Sequence, residues 1–325
     1  AEQIQYFKVT QYFFFKQWTE LKNYANQKGI QIIGDMPIYV AADSVEVWTK
    51  PELFQLDEER NPLVVAGVPA DQFSATGQLW GNPLYAWEEH KKQGYAWWIH
   101  RIEESFKIYD VLRIDHFKGF SDYWQVDGKA EVAKDGSWQP GPGYDLFKAV
   151  KAQLGDLPII AEDLGNIDDK ARKLLADCNY PGMKILQFGF EDVSGKSLDS
   201  PHYCIPHSIV YTGTHDNDVT NGWYNSLTEQ QQQYINDYTH RRENESICQA
   251  MIRQLFATVS NTAIATMQDV LDLPASSRMN VPSTIGGNWQ WRMQKSDLTQ
   301  DKKDFLAKMT TLYQRANQEK HDDEI

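Results

Sequence analysis

The chain has 325 residues, with 45 Asp and Glu against 32 Lys and Arg, a formal charge of −13. That balance argues against a nucleic-acid binder or a partner of anionic membranes, both of which call for clustered Lys and Arg. A content of 41% hydrophobic and 13% aromatic residues supplies a sizeable core and excludes a disordered chain.

In chain order, the first element is a helix over 7–28, because Phe14, Trp18, Leu21 and Ala25 recur at helical spacing and Gly29 follows as a stop. Apolar runs within it, such as Tyr12-Phe13-Phe14-Phe15, fall far short of the ~20 residues that span a bilayer. A strand-like run covers 30–34. Residues 41–87 are rich in Gly, Pro and aromatics without periodicity and read as a long lid or binding loop. A helix with Trp98, Ile102 and Phe106 on one stripe leads into a run over 109–114. A helix over 146–154 precedes the run 157–161, and a helix over 167–178 precedes 183–190. The run 208–212 is followed by two helices. One opens at a capping box, Thr228 with Gln231, and the other carries Ile247, Met251, Leu255 and Val259. A last run spans 262–267, and the acidic tail 321–325 reads as frayed.

Six strand-like runs alternating with helices predict an α/β fold with a parallel sheet, either an open doubly wound sheet or a (β/α) barrel. Gly34-Asp35-Met36-Pro37 after the first run lacks the GxGxxG phosphate turn, so a nucleotide-binding fold loses ground. Cys178, Cys204 and Cys248 lie far apart without a CxxC pair, which fits a reducing compartment better than a disulfide framework or a zinc cluster.

In parallel barrels the chemistry sits at the C-terminal ends of the strands. The runs here end at Asp35, at Arg113-Ile114-Asp115-His116, at Glu162-Asp163, at Thr214-His215-Asp216-Asn217-Asp218 and at Gln268-Asp269. Turn and N-cap preferences explain any one of these. They do not explain an array of like charges converging on one mouth, where the charges repel. Arg113 and Asp115 are two residues apart on a strand and share a side, so the guanidinium favours an ionised Asp115, as a nucleophile needs. Glu162 leaves a very apolar strand, and desolvation there raises its pKa, as a general acid needs. Such a pair forms a retaining glycosidase-type site. The rival use is a metal site with His116 and His215 as further ligands, for which no HExxH or EF-hand spacing is present. Sugars stack on aromatic rings, and the chain has 11 Trp and 16 Tyr. Trp98 and Phe106 fit an ordinary core, whereas Trp80, in the irregular segment 73–83, has no periodic stripe to explain it and is a candidate sugar platform.

Six motifs carry a family resemblance. They are Gly34-Asp35-Met36-Pro37-Ile38-Tyr39-Val40, the segment from Ala66-Gly67-Val68-Pro69-Ala70-Asp71-Gln72-Phe73-Ser74 through Gly81-Asn82-Pro83-Leu84-Tyr85, Arg113-Ile114-Asp115-His116-Phe117, Ala161-Glu162-Asp163-Leu164-Gly165, Tyr211-Thr212-Gly213-Thr214-His215-Asp216-Asn217, and Arg278-Met279-Asn280-Val281-Pro282 with Gly287-Asn288-Trp289. In this order, over nearly the whole chain, they resemble the 4-α-glucanotransferases, the amylomaltase or disproportionating-enzyme family (glycoside hydrolase family 77) related to the α-amylases. The resemblance implies that Asp115 is the nucleophile, Glu162 the general acid/base and Asp216 a transition-state-stabilising carboxylate. It further implies that Asp35, Phe73, Trp80, Asn82, Arg113, His116, Asp163 and His215 contact substrate. The substrates would be α-1,4-glucans such as maltodextrin, starch or glycogen, with no metal or organic cofactor, no nucleic acid and no membrane partner, in the cytoplasm or a plastid.

Family members extend further at the N-terminus, and the chain starts with Ala1. The expectation is therefore a catalytic barrel over 1–325 holding six of the eight strands of an α-amylase-type (β/α)8 fold, with a loop insertion at about 41–87. Two unpaired strand edges would follow, with either an absent N-terminal portion or a partner filling the gap, and the three acids alone would not guarantee activity in an isolated chain. The alternatives are an α-amylase-like glucan hydrolase and an inactive glucan-binding fragment.

Overall fold

The computed structural model describes residues 2–70, 75–165 and 167–316. The expectations for Phe73 and for the tail at 321–325 fall outside these residues. The chain divides into two compact units, Ala1–Gly182 and Met183–Ile325. Among the described residues no helix is long and apolar enough to cross a membrane.

In the first unit a three-stranded parallel sheet has the order β1 (Ile33–Met36), β4 (Val111–Ile114), β7 (Ile159–Ala161). A second, antiparallel sheet has the order β3 (Gln78–Pro83), β2 (Val64–Val68), β5 (Asp122–Asp127), β6 (Ser137–Pro140). The helices are α1 (Glu2–Gln27), α2 (Val45–Thr49), α3 (Trp87–Lys92), α4 (Ala96–Ile108), α5 (Tyr144–Leu154) and α6 (Asp169–Cys178). Helices α4 and α5 turn Trp97, Trp98, Ile102, Leu146, Phe147 and Val150 onto the parallel sheet, where they meet Leu112, Ile114 and Ile159 in one core. Gly34 is obligatory here, because a Cβ at that position would lie 2.0 Å from the Tyr109 ring that crosses β1.

The antiparallel sheet corrects the reading of 41–87 as one irregular loop. This stretch holds α2, β2 and β3, and neither strand alternates in burial, so no period of two marks them. Helix α1 forms as expected but buries no residue. Trp18 Nε1 donates to Ile108 O at 2.8 Å and Lys22 Nζ to Tyr109 O at 2.9 Å, while Phe14 and Leu21, which share the helical spacing of Trp18, stay exposed.

In the second unit β8 (Gly182–Ile185), β9 (Ser208–Tyr211) and β10 (Thr262–Ile264) form a three-stranded sheet of that order, with β9 and β10 parallel. Its helices are α7 (Leu186–Glu191), α8 (Thr220–Ser226), α9 (Glu229–Thr239), α10 (Ile247–Ala257), α11 (Met267–Val270) and α12 (Gln300–Leu312). The run 183–190 is therefore not one strand, since β8 gives way to α7 at Leu186. Only Met183 and Ile185 are buried in β8 whereas most of α7 is buried, and each piece is too short for its period to tell strand from helix. The capping box of α9 is present, and a second one, Ser246 with Gln249, opens α10. Val259 lies beyond α10 and is exposed.

Candidate active site

The three parallel strands of the first unit deliver their carboxylates to one end. Asp35 in β1 pairs in register with Arg113 in β4, and Ile114 with Ala161 in β7. The ladder continues beyond the strands: the Asp115 amide donates to Met36 O and the Glu162 amide to Ile114 O, both at 3.0 Å. Asp115 and Glu162 are thus register neighbours on adjacent parallel strands, which lie about 4.8 Å apart. A retaining glycosidase likewise works through two neighbouring carboxyl groups.

Arg113 is buried between two acids, with Nη1 2.6 Å from Asp35 Oδ1 and 3.0 Å from Asp115 Oδ1. Burial by itself disfavours its charge, but Asp35, Asp115 and Glu162 more than offset this and raise its pKa. The Asp35 and Asp115 side chains remain 39% and 40% exposed, so a solute can reach Asp115. The expected Arg113–Asp115 side-sharing is observed; the bridge to Asp35 was not visible in sequence.

Glu162 is held by amides. His116 N–H donates to Oε2 at 2.7 Å and Leu164 N–H to Oε1 at 2.9 Å. Its pKa is pushed up to about 7, first by desolvation and then by the Asp115 charge, against the pull of Arg113 and the two amides. His116 adopts a left-handed backbone, φ 49°, and this turn aims its N–H at Glu162. Desolvation holds its ring neutral, with its pKa lowered to about 4. The edge of that ring meets the Trp80 indole at 4.8 Å. Trp80 stands on β3, 37% exposed, with Tyr39 6.2 Å away. Asn82 is engaged in structure, its Nδ2 donating to Val40 O at 2.9 Å. Asp163 packs so closely on Gly182 that a Cβ there would meet its carboxylate at 2.4 Å.

In the second unit the loop after β9 presents Asp216. Thr214 N–H and Oγ1 both donate to Asn217 Oδ1, closing a tight turn. Asn280 Nδ2 donates to Asp216 Oδ1 at 2.7 Å, Arg278 Nη2 donates to Asp216 O at 2.7 Å, and His215 Nε2 lies 3.3 Å from Asp216 Oδ2. The Trp289 ring packs 5.1 Å from His215. Asn280, Arg278 and Trp289 were not singled out as site residues from sequence. Their motif was visible, but only folding brings it onto a turn some 64 positions earlier. Asp269, expected at a strand end, instead sits buried in α11, accepting from Thr212 Oγ1 at 2.6 Å and the Thr220 amide at 2.8 Å. For Asp269 the structural explanation wins. Among the described residues, the three metal-capable side chains close enough to share an ion are His100, Glu103 and Glu104 on α4. They are exposed, and neither His116 nor His215 is among them.

The sequence profile of the 4-alpha-glucanotransferase family matches residues 1–299. The chain belongs to this family. A 4-alpha-glucanotransferase of Streptococcus pneumoniae is 52% identical over 319 residues, 98% of this chain and 63% of the relative. The solved amylomaltase of Streptococcus agalactiae, in complex with acarbose, superposes with a TM-score of 0.95 at 61% identity, over 97% of this chain and 64% of that one. A Corynebacterium glutamicum amylomaltase, at 16% identity and a TM-score of 0.74, shares the α/β fold. The chain thus spans less than two thirds of the length of the first two glucanotransferases.

Proposed function

We propose that this chain carries the catalytic centre of a 4-α-glucanotransferase that moves a segment of α-1,4-glucan to the 4-hydroxyl of an acceptor by double displacement. The observation that carries the reading is the placing of Asp115 and Glu162 one residue past the paired ends of β4 and β7, with Arg113 against the first and a pKa of about 7 on the second. Asp115 attacks the anomeric carbon while protonated Glu162 gives its proton to the departing sugar oxygen, leaving a glycosyl-enzyme ester. Glu162, now a carboxylate, takes the proton of the acceptor 4-hydroxyl as that oxygen displaces Asp115. The bond type and configuration are conserved.

Asp216 takes the part of a third carboxylate that binds sugar hydroxyls more tightly in the transition state. Trp80, His116, Arg113, Asp35, Asp163 and His215 contact the glucan; Asn82 and Phe73 belong to the same substrate-binding set by family resemblance. The acarbose bound to the S. agalactiae amylomaltase supports an α-glucan as the ligand class. Residues 1–325 are assigned to the family's catalytic (β/α)8 barrel and contribute six of its strands, and no cofactor enters the chemistry.

Incubation with maltotriose tests this. Glucose together with a ladder of longer maltodextrins is expected. Shorter products alone, with full release of reducing ends, would instead identify a hydrolase. Maltodextrin binding without turnover would identify a binding fragment.

A further inference from the structure

The connection from Glu162 to α6 is gripped at both ends. At its start, Glu162 takes the amides of His116 and Leu164. At its end, Asp168 is the N-cap of α6, and its carboxylate serves two partners. Oδ1 accepts the Ala171 amide at 2.9 Å, and Oδ2 accepts Lys118 Nζ at 3.0 Å. The Lys118 side chain is only 11% exposed, and its ammonium lies 4.6 Å from the centre of the Trp138 ring. Lys118 belongs to the same short turn as His116, whose carbonyl accepts the Gly119 amide at 2.9 Å.

These contacts close a circuit. On one side Glu162 takes the His116 amide and Lys118 of the same turn reaches Asp168; on the other Glu162 takes the Leu164 amide, which lies between it and Asp168 in sequence. An exposed lysine–carboxylate pair contributes little, but a lysine withdrawn from water against an indole face and a carboxylate has few other positions to take. We propose that Lys118 and Asp168 form a clasp that holds the Leu164 amide against Glu162, making Lys118 a positioning residue for the acid/base step. This rests on the reading of Glu162 as the acid/base.

Charged groups facing Glu162 are Arg113 of β4 and Asp115 just past its end, with Asp35 of β1 behind Arg113 and Asp163 next in the chain. The Leu164 amide stabilises the ionised carboxylate, so slackening it favours the protonated form. Lys118→Met keeps the stem against Trp138 and removes the ammonium. The expected result is a fall in kcat of about tenfold on maltotriose, with KM within a factor of ~3 and the basic limb of the kcat/KM profile moved to higher pH. Asp168→Asn retains an oxygen for the Ala171 amide and should give the same shift, the double variant should be no worse than either single one, and Lys118→Arg should restore most of the rate. A basic limb that stays in place, or single effects that multiply in the double variant, would overturn the clasp. Glu162→Gln run alongside separates the two readings: if it retains near-normal turnover, the assignment of the acid fails, whatever Lys118 does.

Discussion

A carboxyl group that must give a proton and take one back works best near neutrality. Glu162 reaches that range because desolvation and the Asp115 charge outweigh Arg113 and two amides. As the proton donor it must be protonated, so kcat/KM should fall as pH rises through about 7, read from a pH–rate profile on maltotriose. Its folded pKa lies above the ordinary carboxylate value, so the associated stability is complete below pH 4.5 and lost as pH rises through about 7. Glu162→Gln should therefore abolish transfer yet melt at a higher temperature than the parent above pH 7, a reversal that calorimetry at pH 8 would detect. Asp115→Asn should lower kcat by at least about a thousandfold while maltodextrin binding persists; near-normal turnover would displace it as the nucleophile. Arg113 and Asp115 were legible as a pair because alternation along a strand sets side-chain direction. The Arg113–Asp35 bond, across 78 positions, was not, since only strand pairing defines it. Asp269 shows the opposite failure: in sequence a buried cap-like acceptor and a reactive carboxylate look alike.

At the scale of elements, legibility followed period. Helices with one buried stripe, α4, α5 and α10, were readable, and so was the capping box of α9. The four-stranded antiparallel sheet was not, because its strands are short, Gly and Pro interrupt β2 and β3, and the central pairing of β2 with β5 joins distant parts of the chain. The cap of α10 gives a prediction at this scale. Ser246 Oγ accepts the Gln249 amide at 3.2 Å, and the Gln249 side chain returns to the Ser246 amide. Ser246→Ala should cost about 1 kcal/mol in urea unfolding and leave the pH–rate profile unmoved. A loss of turnover out of proportion to that cost would mean that α10 does more than support Met251 and Leu255 in their core.

For the whole molecule, the fold class and family were legible because six motifs keep their order along the chain. The division at Gly182 was not, since the density of contacts on either side leaves no pattern in composition. Nor could sequence tell that α1 would touch its neighbours mainly through Trp18, Lys22 and Asn26 while Phe7, Phe13, Phe14 and Leu21 face solvent. Oily rings exposed along one rod make the polypeptide adhesive to anything greasy. On a phenyl-substituted column it should elute later than its charge of −13 suggests. Exchanging Phe7 and Phe14 for Gln should bring it off earlier without altering the Glu162 titration.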